Sequence, residues 1–169
     1  MRTELCQFCL RSGILCSKCR EKVRKGEITQ TDLEIAQLLL SLEEKYPLLQ
    51  NVYFHKAVEA DGILAVLVHR GDVARMLSYG GKVKKALGEK IGKKIRILEY
   101  NSDERKFLED LFAPLNIVTI NRIWLPDGTT ETRVILKKTG RRRPRVNIKA
   151  MKAIAKKVQG MTLRVEFSS

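Results

Sequence analysis

The stretch RMLSYGGKVKKAL, residues 75–87, places two adjacent glycines between an apolar helical segment and a basic one. Glycine costs about 1 kcal/mol relative to alanine inside a helix, so a pair of glycines normally ends one. Helical spacing nevertheless resumes at once with Val83, Ala86 and Leu87. The pattern therefore predicts two helices joined by a glycine loop. Two interpretations of the loop remain open: a plain helical hairpin turn, or a loop that closely approaches a negatively charged ligand.

The charge of the chain indicates a polyanionic partner. Its 33 Lys and Arg against 19 Asp and Glu give a net charge of +14 over 169 residues. Residues 1–46 carry 8 basic and 7 acidic residues, residues 47–100 carry 10 and 5, and residues 101–169 carry 15 and 7. Positive charge concentrated in the last two thirds of a chain is typical of proteins that bind RNA.

The sequence shows no signal for a membrane. No apolar run approaches the roughly 20 residues that cross a bilayer. The first residues, MRTELCQFC, lack the basic, apolar and small-residue regions of a secretory signal. We therefore expect a soluble, cytoplasmic protein with no membrane partner.

All four cysteines fall in the first 19 residues as two C-x2-C pairs, Cys6 with Cys9 and Cys16 with Cys19. Each pair can chelate a tetrahedral ion from a tight turn, and four thiolates complete a closed site. A redox dithiol and two disulfides are the alternatives. A redox pair normally lies at the end of a βαβ strand, and disulfides are rare inside the cell. The spacing therefore predicts one structural Zn²⁺ with no open coordination position.

The rest of the sequence contains one α/β pattern twice. The first copy predicts a helix ending before Pro47, two strands around an Asp-Gly turn, a short helix at 72–77, the glycine loop, a helix at 82–90, and a strand in KKIRILEY. The second copy predicts a helix in SDERKFLEDLFAP capped by Ser102, two strands around PDG, a helix in NIKAMKAIAKKV, and a strand in MTLRVEF. This repetition predicts a duplicated small domain rather than a solenoid.

The two copies differ at the glycine loop. Where the first copy has GDVARMLSYGG, the second has TGRRRPRVNIK, which contains a proline and no glycine pair. Proline disfavours helix at the residue before it, so we expect an exposed, extended or irregular segment. Its cations are either a solvated charged loop or contacts to RNA phosphates, and we assign them to RNA binding: Arg141, Arg142, Arg143 and Arg145.

The order α-β-β-α-α-β with a glycine loop between its two later helices resembles the K-homology (KH) domain of prokaryotic topology. The tandem arrangement and the phrase FLEDLFAP are similar to the paired KH domains of NusA. Together with the cysteine pairs, residues 30–169 resemble archaeal NusA-like RNA-binding proteins. The resemblance implies an α+β fold with three parts: a zinc-binding module at 1–28, a first KH-like domain at 29–100, and a degenerate second one at 101–169.

The KH loop is Gly-x-x-Gly, and it clamps the backbone of about four nucleotides. Its four positions match Ser78, Tyr79, Gly80 and Gly81, so serine stands where the family has its first glycine. Because glycine has no side chain, the main chain of the loop can approach phosphates closely. The amides at the start of the following helix can donate hydrogen bonds to them. The resemblance thus implies an RNA site to which three more residues add cationic contacts, namely Lys82, Lys84 and Lys85.

No catalytic motif accompanies these features. His55 and His69 lie in separate strand-like runs without a cysteine nucleophile or a carboxylate pair at a motif spacing. We expect a non-enzymatic protein that binds single-stranded RNA in transcription elongation or termination, with RNA polymerase or the ribosome as a further partner. Two alternatives remain: a ribosome- or RNA-processing-associated RNA binder, and an adaptor that docks on RNA polymerase.

Overall fold

The computed structural model describes residues 1–138, 140 and 146–168 of the chain. The predicted arginine cluster, Arg141–Arg143 with Arg145, lies outside these residues. The chain folds into two compact units, one formed by Met1–Val58 with Leu64–Asn101 and the other by Glu59–Ile63 with Ser102–Ser169. No helix in the described part of the chain is long and apolar enough to cross a membrane.

The first unit is built on a four-stranded sheet with the order β1-β2-β3-β4. Its strands and helices follow the predicted order, preceded by a short strand and two helices that carry the cysteines. The elements are β1 (Arg2–Thr3), α1 (Gln7–Ser12), α2 (Ser17–Arg24), α3 (Gln30–Glu43), a 3₁₀ helix (Pro47–Asn51), β2 (Tyr53–Ala60), β3 (Ile63–Val68), α4 (Val73–Met76), a 3₁₀ turn (Tyr79–Gly81), α5 (Lys82–Ile91) and β4 (Lys94–Glu99).

The turn between β2 and β3 has the two-residue form that the Asp-Gly sequence predicts. Asp61 and Gly62 both have positive φ, at 47° and 79°, as a type I′ turn requires. The adjacent strands pair in the sheet. All six residues of β3 are buried. Three of them, Leu64, Val66 and Val68, belong to the core cluster of the first unit.

The carboxylate that caps α3 also forms a hydrogen bond to β2. Thr29 accepts a hydrogen bond from the N–H of Asp32 at 3.1 Å, and the Asp32 carboxylate accepts one from the N–H of Thr29 at 2.9 Å. The second oxygen of that buried carboxylate accepts from the N–H of Ala57 on β2 at 2.7 Å. The Asp32 carboxylate thus caps the start of α3 and also accepts a hydrogen bond from an amide of β2. That amide lies beyond the two residues of β2 that pair with β1, Tyr53 and Phe54.

The cysteine segment shares the core of the first unit. Met1, Leu5 and Leu10 belong to the same cluster of buried side chains as Ile35 of α3 and Leu64 of β3. The parallel pairing of β1 with β2 fastens the segment to the sheet as well. The sequence did not predict this strand, because two residues are too few for an alternating pattern. The predicted boundary after residue 28 stays a prediction.

The second unit has a three-stranded sheet with the order β5-β6-β7, in which β5 and β6 are antiparallel and β6 and β7 parallel. Phe107, Leu111 and Ile154 from its two helices are fully buried. These elements occur in the predicted order: α6 (Glu104–Phe112), β5 (Ile117–Trp124), β6 (Thr130–Leu136), α7 (Ile148–Gln159) and β7 (Leu163–Phe167). The mixed α+β architecture with an N-terminal four-cysteine module confirms the predicted fold class of two KH-like units.

The internal repeat is visible in helix ends, and one predicted cap is wrong. Gly92 and Gly160, which lie between the last helix and the last strand of each copy, end α5 and α7 in the same left-handed conformation, with φ of 75° and 67°. The cap of α6, however, is Asp103 rather than Ser102, since the Asp103 carboxylate accepts from the N–H of Lys106 at 2.8 Å. Both residue types cap helices well, and the neighbouring aspartate takes that position here.

Candidate RNA-binding loop and metal centre

The glycine loop has three consecutive residues with positive φ. These are Tyr79 at 60°, Gly80 at 64° and Gly81 at 78°, between the end of α4 and the start of α5. A Cβ atom built on either glycine would have no other atom within 4 Å. Glycine is therefore favoured here by backbone conformation rather than by crowding, and the space in front of both residues is open to a ligand.

Tyr79 is held in this conformation by contacts with the segment after α3. Its hydroxyl oxygen accepts a hydrogen bond from the N–H of Leu48 at 3.1 Å. Its ring lies 5.0 Å from that of Tyr46, tilted by 55°. A non-glycine residue at positive φ costs about 1–2 kcal/mol, which these contacts offset. The Tyr79 side chain thus holds the glycine loop against the segment after α3.

The structure accounts for serine at the first loop position. Ser78 has φ −64° and ψ 174°, a conformation open to any residue. Its hydroxyl donates to the carbonyl oxygen of Ala74 at 2.8 Å, which helps to close the end of α4. A glycine at position 78 is consequently not required by the backbone.

A buried carboxylate sets the position of α4 before the loop. Asp72 is 3% exposed, and its Oδ2 accepts from the N–H of Tyr53 at the start of β2 at 2.9 Å. Its Oδ1 bonds the guanidinium of Arg75. Asp72 was not among the residues predicted from the sequence. An aspartate directly before a predicted helix was the local signal, although its side chain makes no capping hydrogen bond to α4.

The predicted lysines surround the start of α5. Lys82 and Lys85 are exposed, whereas Lys84 is half-buried. Burial, together with the nearby charge of Arg96, lowers the pKa of Lys84. The helix is capped by Gly81, which offers no side-chain acceptor to the first-turn amides. The open glycine pair therefore lies beside amide donors, the positive end of the helix dipole and lysine ammonium groups.

The four cysteines converge at the starts of two helices. Cys6 and Cys16 are the residues immediately before α1 and α2, and Cys9 and Cys19 lie in the first turns of those helices. All four sulfur atoms lie within 4.8 Å of one another, and those of Cys6 and Cys9 are 3.2 Å apart. None of the four is in a disulfide. Both C-x2-C pairs therefore form one cluster.

Backbone amides favour ionisation at two of these thiols. The N–H of Cys19, helped by the thiols around it, lowers the pKa of Cys16 to about 6. The N–H of Cys9 lowers the pKa of Cys6 in the same way. At Cys9 the N–H of Cys16, 3.0 Å away, acts in the same direction, but burial and the other three thiols outweigh it and raise its pKa to about 12. A cation nearby would therefore favour the thiolate form of Cys9, which burial and the neighbouring thiols disfavour.

The geometry fits a tetrahedral metal ion. With zinc–sulfur bonds of about 2.3 Å, tetrahedral ligand sulfurs lie about 3.8 Å apart, which is comparable to the spacing of this cluster. Four sulfurs complete the coordination shell, so an ion held here would have no site for substrate or reactive water. The arrangement can hold a metal and, through it, fasten α1 to α2.

A cluster of polar aromatic side chains, not recognised in the sequence, lies elsewhere in the first unit. His55 Nδ1 is 3.2 Å from a carboxylate oxygen of Glu4, and His55 Nε2 is 3.4 Å from His69 Nδ1. The His55 ring stacks on that of Tyr100 at 4.0 Å. These residues are 14 to 51 positions from His55, so no local motif predicts the cluster. The histidines predicted to stand alone are in fact neighbours.

Two curated relatives are similar to part of the chain. A stretch of 67 residues, 40% of the chain, is 40% identical to the "Probable transcription termination protein NusA" of Methanocaldococcus jannaschii. A stretch of 57 residues, 34% of the chain, is 33% identical to the protein of the same name from Methanococcus vannielii. The matches cover 37% and 33% of these relatives, about a third of their length. The chain is thus homologous in part to archaeal NusA-like proteins.

The comparison with solved structures concerns the fold alone. The crystal structure of APE1850 matches 78% of this chain and 96% of its own, with a TM-score of 0.52 and 20% sequence identity. No family model matches the chain.

Proposed function

We propose that the protein binds single-stranded RNA without catalysis and acts as a NusA-like factor in transcription elongation or termination. The observation that carries the proposal is the open glycine pair at the start of α5, in a chain with partial homology to NusA-like proteins. RNA polymerase is the protein partner that this role implies, and the cytoplasm is the compartment. The module at 1–28 and the KH-like domains at 29–100 and 101–169 are the proposed working parts.

The RNA backbone would approach the loop from the open side of Gly80 and Gly81. The N–H of Lys82 donates to the carbonyl oxygen of Tyr79, so phosphate oxygens would accept from the next amides of the first turn of α5 while the helix dipole favours their charge. Lys82 and Lys85 add exposed ammonium groups beside this site. Lys84 contributes from its half-buried position, and Ser78 and Tyr79 contribute through the main chain. Such contacts position RNA with little sequence information.

The cysteine cluster would hold one Zn²⁺ as a structural ion. Cys6, Cys9, Cys16 and Cys19 supply four soft sulfur ligands, the type of donor that selects zinc over magnesium or calcium. The ion would neutralise the negative charges of the neighbouring thiolates, which the protein alone does not stabilise at such short separations. Its role is to hold the α1–α2 segment, which contributes Cys9, Leu10 and Cys19 to the core of the first unit.

The test of RNA binding is Gly81→Asp, with affinity for a fluorescent single-stranded RNA measured by anisotropy. Because a carboxylate at position 81 would repel phosphate and obstruct the main chain, we expect affinity to fall at least tenfold. Gly128→Asp is the matched control, since Gly128 also has positive φ and open space at its Cβ, in the β5–β6 turn. Equal affinities for the two folded variants would overturn the proposed loop site.

A further inference from the structure

Two large apolar side chains lie on the surface of the cysteine module. Phe8, inside the first C-x2-C pair, is 68% exposed, and Ile14, between the pairs, is 66% exposed. Both are more exposed than Leu10, which is 2% exposed and faces the core from the same short segment. The module therefore presents two apolar side chains that neither ligate the cysteine site nor support the core.

The sequence around these side chains carries a positive charge, with Glu4 and Glu21 as the nearest acidic residues on either side. Residues 7–20 contain Arg11, Lys18 and Arg20 and no aspartate or glutamate. All three cations are exposed. Arg11 follows Phe8 by three positions on α1, and residues three apart on a helix are neighbours on its surface. The Arg11 guanidinium can therefore reach a ligand that lies on the exposed ring of Phe8.

We infer that Phe8, with Arg11, forms a second single-stranded RNA site, in which a base stacks on the Phe8 ring and Arg11 meets an adjacent phosphate. This inference rests on the proposed function and extends it from the glycine loop to the cysteine module. A flat ring beside a cation matches both parts of a nucleotide, its apolar base face and its phosphate.

RNA fits this surface better than a protein partner does. An apolar protein contact would be served by any bulky side chain, whereas base stacking depends on a flat π face. The absence of carboxylates from residues 7–20 favours a ligand with a phosphate at each nucleotide. Because the module belongs to the same compact unit as the glycine loop, one RNA strand long enough to reach both sites would gain affinity by linkage.

The first experiment compares Phe8→Leu, Phe8→Ser and Phe8→Tyr in the full chain, with a single-stranded RNA of about 12 nucleotides. We expect Phe8→Leu and Phe8→Ser to weaken binding about tenfold, within the range for losing one stacked base. Phe8→Tyr should bind as the wild type does. Unchanged metal content and melting temperature would establish that the variants are folded.

The second experiment detects stacking directly. The chain has one tryptophan, Trp124, so Phe8→Trp combined with Trp124→Phe places a single indole on the module. RNA should quench its fluorescence, because direct contact with a stacked base lowers the emission of the indole ring. Val118→Trp in the same Trp124→Phe background is the matched control, since Val118 is also exposed, at 54%, in the second unit. We expect no comparable quenching there.

The outcomes separate this site from the glycine loop. If Phe8→Leu binds RNA as tightly as the wild type and RNA does not quench the indole of the Phe8→Trp variant, the inference is wrong, and docking of an acidic protein becomes the better account of Phe8. The proposed function would still stand if Gly81→Asp lost RNA in the same assay. A wild-type chain that binds no RNA would overturn the proposed function itself.

Discussion

The hydroxyl of Tyr79 and the backbone N–H of Leu48, 3.1 Å apart, join the glycine loop to the 3₁₀ helix after α3. This contact fixes a residue whose φ of 60° is unusual for a side chain of its size. The loop is thus pre-shaped by a partner 31 positions earlier in the chain. Preorganisation of this kind lowers the entropy cost of binding, since the loop need not be ordered by its ligand.

Tyr79→Phe tests that relationship by removing one oxygen atom. Loss of the hydrogen bond to Leu48 should lower the free energy of unfolding by about 1 kcal/mol and weaken RNA binding modestly. Chemical denaturation and anisotropy would measure the two effects. Tyr100→Phe is the control, because Tyr100 contacts His55 through its ring and the phenyl ring keeps that stack. Equal effects of both variants would contradict a positioning role for the Tyr79 hydroxyl.

Removal of metal should unfold more than the cysteine segment. Cys9 and Cys19 are 1% and 2% exposed within the core cluster of the first unit, so loss of an ion that they hold would loosen part of that core. We expect about one zinc per chain by elemental analysis. A strong chelator or Cys9→Ser should lower the melting temperature by several degrees or more, whereas Ser17→Ala, at an exposed site, should not. Protein lacking zinc but containing disulfides would contradict the site.

Local sequence signals predicted much of this fold. The Asp61-Gly62 turn, the glycine break before α5 and the C-x2-C pairs each act within a few residues, where turn chemistry and ligand spacing decide the outcome. Contacts between distant segments could not be predicted in this way. The carboxylate of Asp72 binds the N–H of Tyr53, 19 positions away, and no pattern in either segment specifies that pairing.

The arginine cluster, a prediction from sequence, should contribute nonspecific RNA affinity. Each phosphate neutralised on a single strand adds about 0.7 to the slope of log affinity against log salt. Changing Arg141, Arg142, Arg143 and Arg145 to glutamine should therefore weaken binding to unrelated RNAs and flatten that slope by about one to three units. Four lysines of the second unit, changed likewise, give a charge-matched comparison: Lys149, Lys152, Lys156 and Lys157. An unchanged slope would favour docking of the arginines on an acidic protein surface.

His55 should make the stability of the first unit sensitive to mild acid. Burial, together with the charge of His69, lowers the pKa of His55, and the carboxylates of Glu4 and Asp72 oppose this without cancelling it. Below about pH 6.5 the imidazole of the unfolded chain takes up a proton that the folded protein resists. The free energy of unfolding should therefore fall as pH decreases from about 6.5 towards the lowered pKa, and should be insensitive to this group above that range.

His55→Phe isolates the effect, because a phenyl ring can keep the stack on Tyr100 but has no proton to gain. Thermal or chemical unfolding between pH 7.5 and 5 should show a steeper loss of stability in the wild type than in the variant. Protonation of the cysteines and loss of metal act on both proteins alike, so the difference between the two slopes reports His55. Parallel slopes would mean that Glu4 and Asp72 compensate burial fully and that His55 titrates equally in the folded and unfolded states.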